Sequence, residues 1–277
     1  MKTINILVLI FLFSTAAFTQ SSFDDQFKLA QKLYSEEQYF DAVTEAKRLL
    51  FFEESGKYYF DAYNLIARSY KQGAKFSDAI RYFTLAEMNS HSSEELYRSR
   101  IEIIRVNILR RTTSRAFKLL DSLQADKRFN NKNNELTYWR GWAYIFADEW
   151  DKASSEFAKI DSRQELSSLA KNVDNKLYSV SFAKTISYFI PGAGQIYTGE
   201  YISGLLSLGW NVLWGYLTIK AFVGERIFDG VVITNFLWLR FYRGNLQNAE
   251  NFAIEKNIII SNKALRYLQN EYEGLKP

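Results

Sequence analysis

The feature that most constrains the fold is a spacing of 37 residues that recurs through the first half of the chain. Alanine occupies one column of this repeat, at Ala42, Ala79, Ala116 and Ala153. Four further columns of equivalent positions have the same 37-residue spacing: Ala30, Ala67, Ile104 and Gly141; Tyr39, Phe76, Thr113 and Trp150; Ala46, Phe83, Leu120 and Phe157; Leu49, Ala86, Leu123 and Ile160. A fixed period of this length is typical of stacked helical pairs, because one pair alone cannot bury its apolar face.

Within each repeat the pattern is an amphipathic helix, a short polar turn and a second amphipathic helix. Repeat two (YNLIARSY…KFSDAIRYFTLA) and repeat four (YWRGWAYIF…EWDKASSEFAKI) resemble the tetratricopeptide repeat. Repeat one matches moderately, and repeat three is degenerate and is identified mainly by its spacing. The period predicts an all-α solenoid over residues 20–178, in which Gln164–Tyr178 forms a capping helix.

The resemblance implies that the first helix of each pair lines a concave surface that receives an extended peptide or a partner helix. The side chains expected on that surface come from repeats two, three and four: Asn64, Arg68, Lys71, Arg105, Tyr138 and Trp142. This gives a groove with a basic stretch and an aromatic end. The alternative is that the charged residues form an ordinary solvated helix face.

Composition argues against several functional classes. The net charge of +4 is small for 277 residues, and the basic residues are spread along the chain, which does not favour nucleic acid as a partner. The chain has no cysteine, and its single histidine, His91, has no carboxylate neighbour in its predicted loop. With no nucleophile–base pair, metal-ligand cluster or phosphate loop in the sequence, we expect neither an enzyme nor a cofactor.

The first 19 residues have the pattern of a secretory signal peptide. Lys2 supplies the positive start, residues 4–13 the apolar stretch, and residues 14–19 a small-residue exit. The apolar stretch is about half the length that spans a bilayer, which favours export over the alternative, an uncleaved anchor helix.

The composition changes near residue 180. Nine of the thirteen glycines lie between Gly192 and Gly244, and residues 201–219 carry no charge, close to the length that crosses a bilayer. A second apolar run, residues 227–242, is shorter and contains Asp229 and Arg240. Together the two runs predict an interfacial segment and a membrane hairpin over residues 179–244. The alternative is a buried hairpin of a soluble protein.

A glycine-rich motif precedes the first apolar run. It resembles the PGxGQxYxG signature of bacterial two-transmembrane-helix domains, through Pro191, Gly192, Gly194, Gln195, Tyr197 and Gly199. The segment FYRGNLQNAENFAIEKN also resembles the end of such a domain. The resemblance covers about residues 182–257 and implies an integral membrane element, while Gln195 and Tyr197 have either a mechanistic or a structural role. Residues 245–277 are expected to form an amphipathic tail of two short helices.

These patterns favour a membrane-anchored adaptor in the bacterial envelope. Its expected partners are a protein or peptide and the lipid bilayer, with the repeats in the periplasm and the hairpin in the inner membrane. The alternative function is a membrane-protein insertion factor that acts through the hairpin. Export of the repeats predicts that residues 220–229 face the cytoplasm, although the positive charges on the opposite side of the hairpin run against the positive-inside tendency.

Overall fold

A computed structural model of the chain describes residues 23–277, except for the side chain of Asp161. The predicted signal peptide lies outside these residues. All regular structure within the described range is helical. The described residues divide into two compact units, unit one over residues 23–168 and unit two over residues 169–276. The division falls inside one helix, whereas the sequence suggested a boundary at residue 178.

Unit one consists of four helical pairs. The helices are α1 (described over 23–35), α2 (Tyr39–Phe52), α3 (Tyr59–Gln72), α4 (Phe76–Met88), α5 (Ser93–Leu109), α6 (Thr113–Ala125), α7 (Asn133–Phe146) and α8 (Trp150–Phe157). A 3₁₀ segment, Lys127–Lys132, precedes α7. Helix α9 (Gln164–Asp174) follows, and the Ser154 hydroxyl of α8 donates to the Ser167 carbonyl of α9 at 2.9 Å.

The 37-residue period is visible in the backbone of the turn inside each pair. The second helices begin at equivalent positions of the period: Tyr39, Phe76, Thr113 and Trp150. Two residues before each of these positions the backbone is left-handed, at Glu37, Ala74, Arg111 and Asp148. The next amide donates to a carbonyl five residues back, as from Lys75 to Tyr70. This arrangement ends the first helix with a Schellman-type cap, here without glycine.

The repeat columns form the core of unit one. Every alanine of the Ala42 column is fully buried, and so is every residue of the column that starts at Ala46. In the fourth pair, a methyl group added at Gly141 would lie 2.6 Å from the Phe157 ring. The small columns therefore set how closely the helices of each pair approach one another.

Unit two contains the remaining helices: α10 (Val180–Phe189), α11 (Ala193–Tyr197), α12 (Tyr201–Val223), α13 (Ile227–Val232) and α14 (Leu239–Asn270). A π-helical segment, Ile233–Trp238, joins α13 to α14 without a break. The prediction of two short tail helices is wrong, because one helix runs from Leu239 through to Asn270. Nothing interrupts it at Gly244, where the backbone stays helical.

Helix α12 packs along the continuous α13–α14 segment in the opposite chain direction. Trp238 lies 3.6 Å from the position of a methyl group on Gly215, and the rings of Trp210 and Phe241 stack with centroids 5.5 Å apart. Among the described residues, α12 is the one helix long and apolar enough to cross a membrane. The second apolar run is helical and packs on α12 but does not meet that criterion, so the membrane hairpin stays a prediction.

Candidate functional sites

A cavity of about 340 Å³ lies between the first helices of the first three pairs. We call it the α1–α3–α5 cavity. Four of the six predicted partner-binding residues line it: Asn64, Arg68, Lys71 and Arg105. The other lining residues are Phe27, Gln31, Tyr34, Phe60, Asp61, Leu65, Gln72, Arg98 and Glu102. The lining thus combines an aromatic and aliphatic part from α1 and α3 with a charged part from α3 and α5.

The charged part of the cavity is organised around Glu102. The Lys71 ammonium lies 3.0 Å from one carboxylate oxygen of Glu102, and Arg105 pairs with the other oxygen. Burial lowers the pKa of the Lys71 ammonium, and the charge of Glu102 opposes that shift. The Glu102 carboxylate therefore bridges Lys71 on α3 and Arg105 on α5.

Two more arginines carry positive charge into the same cavity. The Arg68 guanidinium lies 4.8 Å from the centre of the Tyr34 ring, which fixes it by a cation–π contact. Arg98 is exposed on α5, and Asp61 faces it from α3. Burial raises the pKa of the Asp61 carboxyl, with the nearby charge of Glu95 as the next cause. In all, the lining has four cationic side chains and two carboxylates.

The prediction that Tyr138 and Trp142 form an aromatic end of the groove is wrong. Tyr138 and Trp142 are 5% and 2% exposed and do not line the α1–α3–α5 cavity. The Tyr138 ring packs edge-on against Trp142 and Phe157, with ring centroids 6.4 and 5.8 Å apart. These rings fill the space beside Gly141, where the missing side chain leaves room for Phe157. Both residues therefore belong to the core of the fourth pair.

The glycine-rich motif of unit two is gathered around Asn245. The Asn245 side-chain oxygen accepts hydrogen bonds from the Gly192 amide at 2.7 Å, the Gln195 side-chain amide at 3.1 Å and the Ser207 hydroxyl at 2.9 Å. Its amide group donates to the Ser187 carbonyl at 3.1 Å. We call these five residues the Asn245 node. It ties α10, α11, α12 and α14 together, and both Asn245 and Gln195 are buried.

Two motif glycines are required by close backbone approach. Gly192 has a φ of +93°, and a methyl group there would lie 2.1 Å from the Gly204 carbonyl oxygen. A methyl group on Gly194 would lie 2.3 Å from the Ala183 carbonyl oxygen and 2.6 Å from the Ala249 methyl carbon. Any side chain at either position would push α11 away from its neighbours, so the motif spacing has a direct packing cause.

The other motif residues shape the segment around α11. Pro191 is half-buried and precedes the left-handed Gly192. The Tyr197 hydroxyl accepts a hydrogen bond from the Ser179 amide at 3.2 Å, and its ring packs edge-on between Tyr178 and Phe182. Gly199 has a φ of +84° in the turn that leads into α12. These contacts favour the structural role over the mechanistic one for Tyr197.

The sequence interpretation missed the residue that organises the motif. Asn245 lies in the segment FYRGNLQNAEN, which was noted for its resemblance but not for any single side chain. No local signal distinguishes Asn245, because the same segment also contains Asn248 and Asn251. Ser187 and Ser207 carry no signal either, since only the packing of α10 and α12 brings them to Asn245.

Comparison of the chain with protein-family models, curated proteins and solved structures finds no match. In the described part of the chain, no group of His, Asp or Glu side chains has an arrangement that could hold a metal ion.

Proposed function

We propose that this chain is a membrane-anchored adaptor of the bacterial envelope that binds a protein or peptide through the α1–α3–α5 cavity. The observation that carries this proposal is the convergence of Asn64, Arg68, Lys71 and Arg105 on one cavity. These residues come from two successive first helices, as the resemblance to tetratricopeptide repeats requires. A solvated helix face would leave the same residues dispersed over the surface.

The lining indicates the chemistry of the partner. An excess of cations over carboxylates favours a segment with acidic side chains, and Phe27, Phe60 and Leu65 favour an apolar side chain beside them. The amides of Gln31, Asn64 and Gln72 make no hydrogen bond with another described residue, so they are available to a peptide backbone. An extended acidic–apolar segment satisfies all three parts of the lining.

The test is co-purification of the full-length protein from its own membranes in mild detergent. The Arg68→Glu, Arg98→Glu variant reverses two exposed charges of the cavity and leaves the Glu102 cluster intact. A matched control, Arg115→Glu, Lys118→Glu, reverses two exposed charges on α6. We expect a stoichiometric partner with the wild type and the control, and its loss with the cavity variant. Equal capture by all three proteins would refute the proposal.

Membrane anchorage is supported by the distribution of side chains on α12. Its buried residues are small or polar, Gly204, Asn211, Thr218 and Ala221, whereas Ile202, Leu205 and Ile219 are more than half exposed. Only 22% of its most apolar window is buried inside the molecule. A core helix of a soluble protein has the opposite pattern, because water penalises exposed apolar area by about 25 cal/mol per Å². A lipid environment removes that penalty.

Anchorage by a hairpin predicts a defined topology. The repeats and the C-terminal tail lie in the periplasm, and the turn between α12 and α13 lies in the cytoplasm. A phosphatase that is active only after export should work when fused after Pro277 and fail when fused at Gly224. Activity at both sites would mean that neither helix crosses the membrane.

The insertion-factor alternative is separated from the adaptor by deletion. An adaptor loses its partner when residues 20–168 are removed. Partners that remain bound to residues 180–277 alone would instead favour a function of the hairpin.

A further inference from the structure

The contacts of α12 with the continuous α13–α14 segment fix which part of α12 lies beside each part of that segment. Phe241 stacks on Trp210, Trp238 faces Gly215, and the Ser207 hydroxyl bonds to Asn245. Arg240 and Arg243 lie between these contacts on α14. They are therefore level with the first half of α12 beyond Ser207, and not with its end at Tyr201.

This register creates a mismatch on one side of the hairpin. Ser207 is six residues into α12, which places it about 9 Å from the start of the helix, and Trp210 is about 14 Å from it. If α12 spans a hydrocarbon core of about 30 Å, both arginines lie within the outer leaflet. Each flexible arginine side chain carries its guanidinium group part of the way to the interface. The lipid phosphates have to move inward over the remaining distance.

The two arginines share one exposed face of the helix. Both side chains are exposed, and neither forms an ion pair, hydrogen bond or ring contact with another described residue. At helical spacing, Phe236 precedes them and Gln247 follows them on the same face. Phe236 is 70% exposed, so an apolar surface borders the cationic pair on the side toward the membrane centre.

We propose that Arg240 and Arg243 bind the headgroup phosphates of anionic phospholipids and draw the outer leaflet inward along α14. This inference rests on the proposed membrane anchorage and names the lipid class that α14 recognises. Guanidinium groups pair well with phosphate, and the adjacent Phe236 surface accepts the acyl chain. The proposal also gives a role to positive charges that run against the positive-inside tendency.

The proposal is tested by quenching of tryptophan fluorescence with brominated lipids. The full-length protein is reconstituted in nanodiscs of phosphatidylcholine and phosphatidylglycerol at one fixed ratio, with one or the other lipid brominated. Trp210, Trp214 and Trp238 lie in unit two and report the lipids around it. The variant Arg240→Gln, Arg243→Gln is compared with Lys263→Gln, Arg266→Gln, an exposed pair at the same spacing on the same helix.

We expect brominated phosphatidylglycerol to quench the tryptophan fluorescence of the wild type and of the Lys263→Gln, Arg266→Gln control by more than its mole fraction in the bilayer accounts for. In the Arg240→Gln, Arg243→Gln variant, the enrichment of phosphatidylglycerol around the protein should fall by up to about 30-fold, as expected for two basic residues near anionic lipid. Quenching in proportion to mole fraction in the wild type would overturn the lipid proposal and leave the anchorage intact. The absence of quenching by either lipid would overturn the anchorage itself.

Discussion

Replacing Gly141 with alanine tests whether the small columns of the repeat set the spacing of the helices. The added methyl carbon would lie 2.6 and 2.7 Å from two atoms of the Phe157 ring, where carbon atoms normally pack at about 3.5–4.0 Å. The ring is fully buried and cannot retreat freely. Overpacking of this kind costs about 1–3 kcal/mol, against about 1 kcal/mol gained in helix propensity. We expect a net loss of about 1 kcal/mol in unfolding free energy.

The assay is urea unfolding of residues 21–178, which we expect to form a stable helical domain, followed by circular dichroism. Gly73→Ala is the matched control, because its methyl group would come no closer than 3.6 Å to a neighbouring atom and should raise the stability. Adding Phe157→Leu to Gly141→Ala should cost less than the sum of the single changes, by about 0.5–3 kcal/mol. A stabilised Gly141→Ala variant, or strict additivity of the pair, would refute this account of the packing.

Three further predictions concern the turn, the node and alkaline pH. Ala74→Gly should raise the unfolding free energy by about 0.5–1 kcal/mol, because the backbone of Ala74 is left-handed (φ 54°). Ala158→Gly, at a position with a right-handed backbone (φ −63°), should lower it. Two effects of the same sign would contradict this. Asn245→Ala should lower the thermal stability of the detergent-solubilised protein by the equivalent of about 3 kcal/mol, because the Gly192 amide and the Ser207 hydroxyl lose their acceptor and the Gln195 side-chain amide keeps only the main-chain carbonyl of residue 245. The exposed Asn248→Ala should have little effect. Burial and then Glu135 raise the pKa of Tyr97 far above its ordinary value near 10, so the folded state holds the proton longer than the unfolded chain. Stability should therefore fall as the pH rises above 10, and Tyr97→Phe should flatten that fall in pH-dependent unfolding curves.

The local pattern of the chain determined much of unit one. A strict period in small and large residues fixes where each helix must begin, because each pair repeats the same packing problem. The starts of the second helices at Tyr39, Phe76, Thr113 and Trp150 follow from it. The convergence of Asn64, Arg68, Lys71 and Arg105 also followed from spacing, since equivalent positions of stacked pairs face the same side.

Tertiary structure alone decided which aromatic residues are accessible. Tyr138 and Trp142 occupy helical positions that are compatible with exposure, yet the ring of Phe157 enters the gap at Gly141 and the three rings pack together. Sequence periodicity gives the direction of a side chain to within a helix face. It does not give the volume that a neighbouring helix leaves free.

The same division holds in unit two. The sequence located α12 and the glycine-rich motif, because a long uncharged run and clustered glycines are local signals. It did not indicate that Asn245 joins the motif from about fifty residues away, or that Arg240 and Arg243 lie beside the first half of α12 beyond Ser207. Those facts depend on the register between two antiparallel helices, and register is set by contacts between residues that are distant in the chain.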